Sequence, residues 1–409
     1  MLRKTITALV LLLAALVSVH AQDRSLSAYA GLMAPYEFAD VSDSPAPAGY
    51  KPFYISHYGR HGSRYHLGFT LENYIPAEMI EAHKAGALTD EGEAVLEEML
   101  AVLKAHDGRD GDLTPIGDAQ HRKIAERMYK RFPKVFRNGS RSVRCRSSHI
   151  PRCILSMSAF GNTLQKMDSR LNINYSTGPR DFRLLCRNYD IDRHMHIALD
   201  SLDAVRRPEV FDPRPLVRRL FKEGYELKDP QKTACCIYNL GSVENGIGMG
   251  NGLFASFTQE ELQAQWMLYD ERMFGILGNS VEYGDTVRFA AKDLLADFIS
   301  CADAAVAGKG PVADLRFGHD SGLMPLVVRM GLRGFDEPVP VLGSSEKWIA
   351  QDVLPCAANL QMVLYRKRGA PVLVKILYNE QETGIPALTP VQGPYYSWDE
   401  VRKHWTGND

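Results

Sequence analysis

Hydrophobic and polar positions along this chain repeat with two periods, and the switches between them outline its architecture. Phe53, Tyr54 and Ile55 open an aromatic, β-prone run that ends in the turn signal Tyr58-Gly59. Residues 67 to 88 follow neither period and read as irregular. From Asp90 to Ala105 the spacing is helical, with Val95, Leu96, Met99, Val102 and Leu103 on one face. Thr89 or Asp90 supplies a cap, and Gly108 lies beyond the end. The next segment, LTPIGDAQHRKIAERMYKRFP, is a helix with Thr114 as N-cap, Pro115 where proline is best tolerated, and Pro133 as the stop. Ser142 to Ser147 alternates like a strand. His149 to Met167 reads as a helix with Ile154, Leu155, Ala159 and Leu164 turned inward.

Residues 181 to 285 change character. Leucine- and aromatic-rich helical segments alternate there with Gly/Asn loops, and Thr258 with Glu261 forms a capping box that opens a helix through Phe274. The GIGMGNG run from Gly246 to Gly252 lacks the G-x-G-x-x-G spacing and reads as a loop. Strand and helix then alternate again. Asp285 to Val306 is one long helix, and Val312 to Phe317 is a buried strand followed by Gly318, His319, Asp320 and the helix SGLMPLVVRMGL. Ala358 to Arg366 and Val372 to Tyr378 form a hairpin. The pattern predicts an open, mixed-sheet α/β core with flanking helices, built from residues 22–180 and 286–409. A mostly helical insertion, residues 181–285, divides it.

Composition narrows the functional classes. A hydrophobic share of 45% and a net charge of −1 over 409 residues describe a globular chain with no global pull toward nucleic acid or membrane. Any attraction for an anion must be local. At the N-terminus, Arg3 and Lys4 precede the apolar run Ile6 to Val19, and Val19-His20-Ala21 gives a small-x-small cleavage site. Residues 1–21 read as a secretory signal peptide, too short in its apolar part to span a bilayer. The expected location is periplasmic or extracellular, with no later membrane span, no cysteine at the cleavage site for a lipid anchor, and no retention signal in Thr406-Gly407-Asn408-Asp409. Seven cysteines remain (Cys145, Cys153, Cys186, Cys235, Cys236, Cys301 and Cys356). In an oxidising compartment some are expected to pair, although an odd number leaves one over. None has C-x-x-C spacing, so no zinc site is suggested.

The chemistry gathers at Arg60-His61-Gly62-Ser63-Arg64. Two guanidinium forks suit bidentate binding of phosphate oxygens, glycine lets backbone approach closely, and the imidazole between them is placed to attack phosphorus. Far along the chain, Gly318-His319-Asp320 repeats the order of apolar strand, glycine, reactive residues and helix. Loops at the carboxyl ends of neighbouring strands share one crevice, so the two segments are expected to meet. From Lys130 to Arg152 eight basic residues occur without an acidic one. Arg152 stands out among them because SSHIPRC puts it at a strand-to-helix junction; most of the rest read as solvated. Asp190, Asp192, His194 and His196 alternate as metal ligands do, but scattered polar surface is the simpler reading, and no metal or other cofactor is expected. Arg180, Arg183 and Arg187 have i, i+3, i+7 spacing, suited either to peripheral phosphates of a polyanion or to a solvated face.

The RHGSR loop, Leu113-Thr114-x-x-Gly117 with Gln120, Arg152 and the His319-Asp320 pair resemble the histidine acid phosphatase branch of the histidine phosphatase superfamily. Within that branch the resemblance is closest to the multiple inositol polyphosphate phosphatases and phytases, over about residues 50–385. It implies that His61 forms a phosphohistidine, that Arg60, Arg64, Arg152 and His319 neutralise the phosphate, and that Asp320 protonates the leaving alcohol. Arg180, Arg183 and Arg187 are then candidates for substrate binding. Two departures bear on the substrate. Tyr65-His66 follows Arg64 where the family usually has proline at the second position, and His-Asp replaces the His-Ala-Glu typical of the inositol polyphosphate group. The expected partner is a small phosphate monoester, most of all an inositol polyphosphate such as phytate. Alternatives are sugar phosphates, cytoplasmic-type phosphoglycerate mutase chemistry, which export disfavours, and non-catalytic phosphate binding.

Overall fold

A computed structural model describes residues 25–67, 76–137, 139–186 and 193–407. The signal-peptide reading, Arg187, Asp190 and Asp192 lie outside these residues. Eight strands form one mixed sheet, in the spatial order β3 (Asn172–Thr177), β2 (Ser142–Ser147), β4 (Ala313–Gly318), β1 (Lys51–Arg60), β5 (Asn359–Arg366), β6 (Leu373–Tyr378) and β7 (Gln381–Thr383). The remaining strand, β8 (Tyr395–Ser397), also pairs with β6. The first four are mutually parallel, whereas β5 runs antiparallel to β1 and begins a meander. All six residues of β4 are buried, as expected for a central parallel strand covered by helices on both faces.

Helices flank this sheet. Pro115–Arg131 starts where Thr114 Oγ1 accepts from the Gly117 amide (3.1 Å), and it packs with Pro151–Met167 on one face. Lys292–Val306 and Asp320–Met330 cover the other face. Between β3 and β4 the described residues contain helices but no strand. The longest, Gln259–Leu277, begins with the expected box: Thr258 Oγ1 accepts from Glu261 N, and the Glu261 carboxylate accepts from Thr258 N. A separate hydrophobic core joins these helices to Ala77–Lys84 and Asp90–Ala105. The helical layer therefore draws on two stretches of chain.

Several local expectations need correction. Residues 77–84 form a helix inside the stretch read as irregular, with Met79 and Ala82 fully buried. The long helix predicted over 285–306 is two, Gly284–Ala290 and Lys292–Val306, because the Arg288 carbonyl receives both the Ala291 amide and the Arg329 guanidinium. Leu155 is 49% exposed; Ala159 and Leu164 are buried as expected, joined by Cys153, Met157 and Phe160. The basic run is also less solvated than expected. Arg131 pairs with Asp43, Arg144 with Asp314, and Arg146 with Asp297, which holds the fully buried Arg316 as well. No disulfide joins the seven cysteines, all of which lie among the described residues. Cys153 lies beside His319, Cys235 beside Arg207, Cys301 beside Arg144 and Cys356 beside Leu32.

No helix of the described residues is long and apolar enough to cross a membrane.

Candidate active site

Register brings the two reactive segments together. In the parallel ladder of β1 with β4, Arg60 lies opposite Gly318, so His61 and His319 leave adjacent strands at the same level. The His61 amide donates to the Gly318 carbonyl (2.9 Å), and the two imidazole centroids are 5.7 Å apart at a steep angle. The β2 strand continues the row on the other side of β4 and delivers Ser148 and Arg152.

The RHG loop rests directly on the helix Pro115–Arg131. Ser63 N donates to Gln120 Oε1 (2.9 Å), while the Thr114 amide donates to the Ser63 carbonyl (2.9 Å). A Cβ on Gly62 would fall 2.6 Å from the Gly117 Cα, so both glycines are needed for this approach. The Leu-Thr-x-x-Gly…Gln element thus lies behind the loop.

His61 is almost wholly buried, and its Nδ1 lies 2.9 Å from the Gly62 carbonyl oxygen. A carbonyl can only accept, so Nδ1 carries the proton and Nε2 presents its lone pair. Burial, reinforced by Arg152, Arg60 and Arg64, holds the His61 imidazole well below the usual histidine range. Its surroundings keep the imidazole neutral.

The cations differ in their commitments. Arg60 is fully buried; Nη1 donates to the Leu32 and Leu354 carbonyls (both 2.7 Å), and Nη2 to Asp320 Oδ2 (2.9 Å). Arg64 spends one donor on the Tyr65 carbonyl (2.9 Å). Burial and the nearby Arg152 charge push its guanidinium down to about 10. The Nε atoms of Arg60, Arg64 and Arg152 are buried without a hydrogen-bond partner. Arg152 Nη2 is 3.5 Å from His319 Nδ1, and Ser148 Oγ is 2.9 Å from His319 Nε2. Burial and Arg152 push His319 down to about 3, so it is a neutral hydrogen-bonding group rather than a cation. Burial alone would raise the Asp320 carboxyl, but Arg60, His319 and Arg64 outweigh it and lower it overall.

The turn carrying His319 and Asp320 is held by Tyr58. Its hydroxyl donates to the Leu185 carbonyl (2.6 Å) and accepts from the His319 amide (3.0 Å). Nothing in the local pattern distinguishes Tyr58 from other core tyrosines, so sequence reasoning missed it. At the rim, the helix Pro179–Leu185 carries Arg180 and Arg183, both exposed, and Phe182, whose ring centroid is 6.3 Å from that of His319. Among the described residues no group of His, Cys, Asp and Glu is arranged to hold a metal ion.

Residues 59–197 match the family described as histidine phosphatase superfamily (branch 2). None of the curated proteins matches the sequence. Among solved structures, the chain is similar to the multiple inositol polyphosphate phosphatase of Bifidobacterium longum in complex with inositol hexasulfate. That match has a TM-score of 0.78 and 21% identity over 93% of this chain and 98% of the other. The phytase from D. castellii gives 0.67 and 14%, covering 93% and 86%. A Hafnia alvei phytase in complex with myo-inositol hexakis sulphate gives 0.51 and 12%, covering 88% and 98%. At these identities the likeness is one of fold. The family match over residues 59–197, which includes the RHGSR loop, supports phosphatase activity.

Proposed function

We propose that the protein is an exported phosphomonoesterase that hydrolyses phosphate monoesters, inositol polyphosphates foremost, through a phosphohistidine on His61. The observation that carries this reading is the convergence of a neutral imidazole, its Nε2 bare, with three arginines, His319 and Asp320 at one strand-end crevice.

In the first step His61 Nε2 attacks phosphorus in line, and the bond from phosphorus to the alcohol oxygen breaks. Arg60, Arg64, Arg152 and His319 stabilise the charge spread over the phosphoryl oxygens. Asp320, protonated, gives its proton to the departing oxygen. The incoming phosphate dianion counters the arginines that lower Asp320, which favours the protonated acid when substrate is bound. In the second step water attacks phosphorus, Asp320 takes up its proton, and phosphate leaves His61 free.

For the substrate, support comes from the bound hexasulfate of the Bifidobacterium longum protein and from Arg180 and Arg183 exposed beside the site, with Arg187 a further candidate. The His319-Asp320 pair, in place of His-Ala-Glu, favours a second reading as a broad acid phosphatase on sugar phosphates. Phosphate release by the purified protein from inositol hexakisphosphate and from a sugar monophosphate separates them. Preference for the hexakisphosphate is the expected result. Preference for the sugar phosphate would move the assignment to the second reading, and no release from either would leave a non-catalytic binder.

A further inference from the structure

Arg60 is gripped from below by two carbonyls drawn from opposite ends of the chain, Leu32 and Leu354. Leu32 belongs to a single 3-10 turn, Gly31–Met33, far from every element that forms the crevice in sequence. The turn continues to Ala34, whose carbonyl accepts from the Cys356 amide (2.9 Å) beside Leu354. On its other side it leans on Tyr269 of the helix Gln259–Leu277. Gly31 has φ +53°, and a Cβ there would overlap the Tyr269 ring, coming within 2.8 Å of Cδ1. The ring fills the place a side chain would take.

We propose that Tyr269 is a positioning residue for the proton donor: its ring seats the Gly31–Met33 turn, whose Leu32 carbonyl holds Arg60 against Asp320. This rests on the reaction proposed above. A buried guanidinium that loses one of its two carbonyl acceptors has an unsatisfied donor and shifts to recover it. Nη2 then moves relative to Asp320. The charged and titratable groups that face Asp320 are Arg60 from β1, Arg64 from the loop after it, and the neighbouring His319. Tyr58, Cys153 and Cys186 also face it, but burial raises all three, as it does Tyr269, so they carry no charge there. Arg60 is the largest of the influences that hold the carboxyl down, and it is the one bonded to it.

The test is the pH profile of the first-turnover burst, before Asp320 acts on water, with inositol hexakisphosphate and with nitrophenyl phosphate, whose leaving group does not need an acid. In Tyr269→Ala the alkaline limb for the hexakisphosphate should move upward by about 1 pH unit, the low end of what losing an opposite charge does to a carboxyl. Nitrophenyl phosphate should show little change. Tyr269→Phe keeps the ring, losing only the hydroxyl that faces the Leu32 backbone, and should restore most of the wild-type limb. Gly31→Ala pushes the turn off the ring and should give the same upward shift, so it decides the matter if Tyr269→Ala does not fold. A limb that stays in place in the folded variants would overturn the proposal, as would an equal shift in Tyr269→Phe. If the wild-type protein releases phosphate from neither substrate, the proposed reaction fails instead, and the two failures are distinct.

Discussion

The Tyr58 hydroxyl occupies the ground on which a side chain at Gly322 would stand, with Tyr58 Cζ only 2.9 Å from the Cβ position. The same hydroxyl holds the His319 amide, so the close approach fixes the turn that carries Asp320, the proposed proton donor. Gly322→Ala should cost about 1–3 kcal/mol of stability, the usual range for overpacking. Tyr58→Phe should cost a similar ~1–3 kcal/mol through the unpaired Leu185 carbonyl and His319 amide. In the Tyr58→Phe background the alanine should cost less, because the nearest atom is gone. Denaturant unfolding of the four proteins measures this coupling. Strictly additive costs would mean that the hydroxyl is not what excludes the side chain.

Arg183 lies next to Phe182 at the rim and is exposed, without a bonded carboxylate in the described structure. If it meets peripheral phosphates, Arg183→Ala should raise KM for inositol hexakisphosphate several-fold more than for a sugar monophosphate, with kcat little changed. Equal effects on the two substrates would return Arg180 and Arg183 to a solvated face.

A second titration concerns stability. Glu244 is fully buried and accepts from the Leu253 amide (3.0 Å). Burial and the carboxyl of Glu98 push it up to about 8, above its ordinary value of 4.5. The fold therefore binds this proton more tightly than the unfolded chain does. The stabilisation is complete below about pH 4.5 and is lost as pH rises to about 8. Glu244→Gln keeps an acceptor for Leu253 and a donor for Glu98 without titrating. Melting temperatures of both proteins across this range should show a shallower decline in the variant. Parallel curves would remove Glu98 and Glu244 from the account.

Much of the site was legible because strand ends and loops carry local signals. The β-prone run before RHGSR, the Thr114-Pro115 helix start and the apolar strand before GHD each declare an element, and parallel-sheet logic joins them. What escaped was long-range. Arg144 and Arg146 looked solvated because Asp314 and Asp297 are more than a hundred residues away. The grip of Leu32 and Leu354 on Arg60 uses backbone carbonyls, which no side-chain pattern reveals. Helix 77–84 is only eight residues long and has only two buried side chains, too few to set a period. Leu155 failed differently: an apolar residue on the solvent side of an amphipathic helix was read as core.

The central claim is that His61 takes the phosphoryl group while Asp320 protonates the leaving oxygen. The first-turnover burst of phosphoenzyme separates the two roles, because an inositol alkoxide cannot depart unprotonated and a nitrophenolate can. Asp320→Asn should slow the burst from inositol hexakisphosphate by ~10²–10⁴-fold and partly spare that from nitrophenyl phosphate. His61→Ala should abolish both bursts. If Asp320→Asn slows both bursts by the same factor, or His61→Ala still forms a phosphoenzyme, the assignment of acid and nucleophile is contradicted.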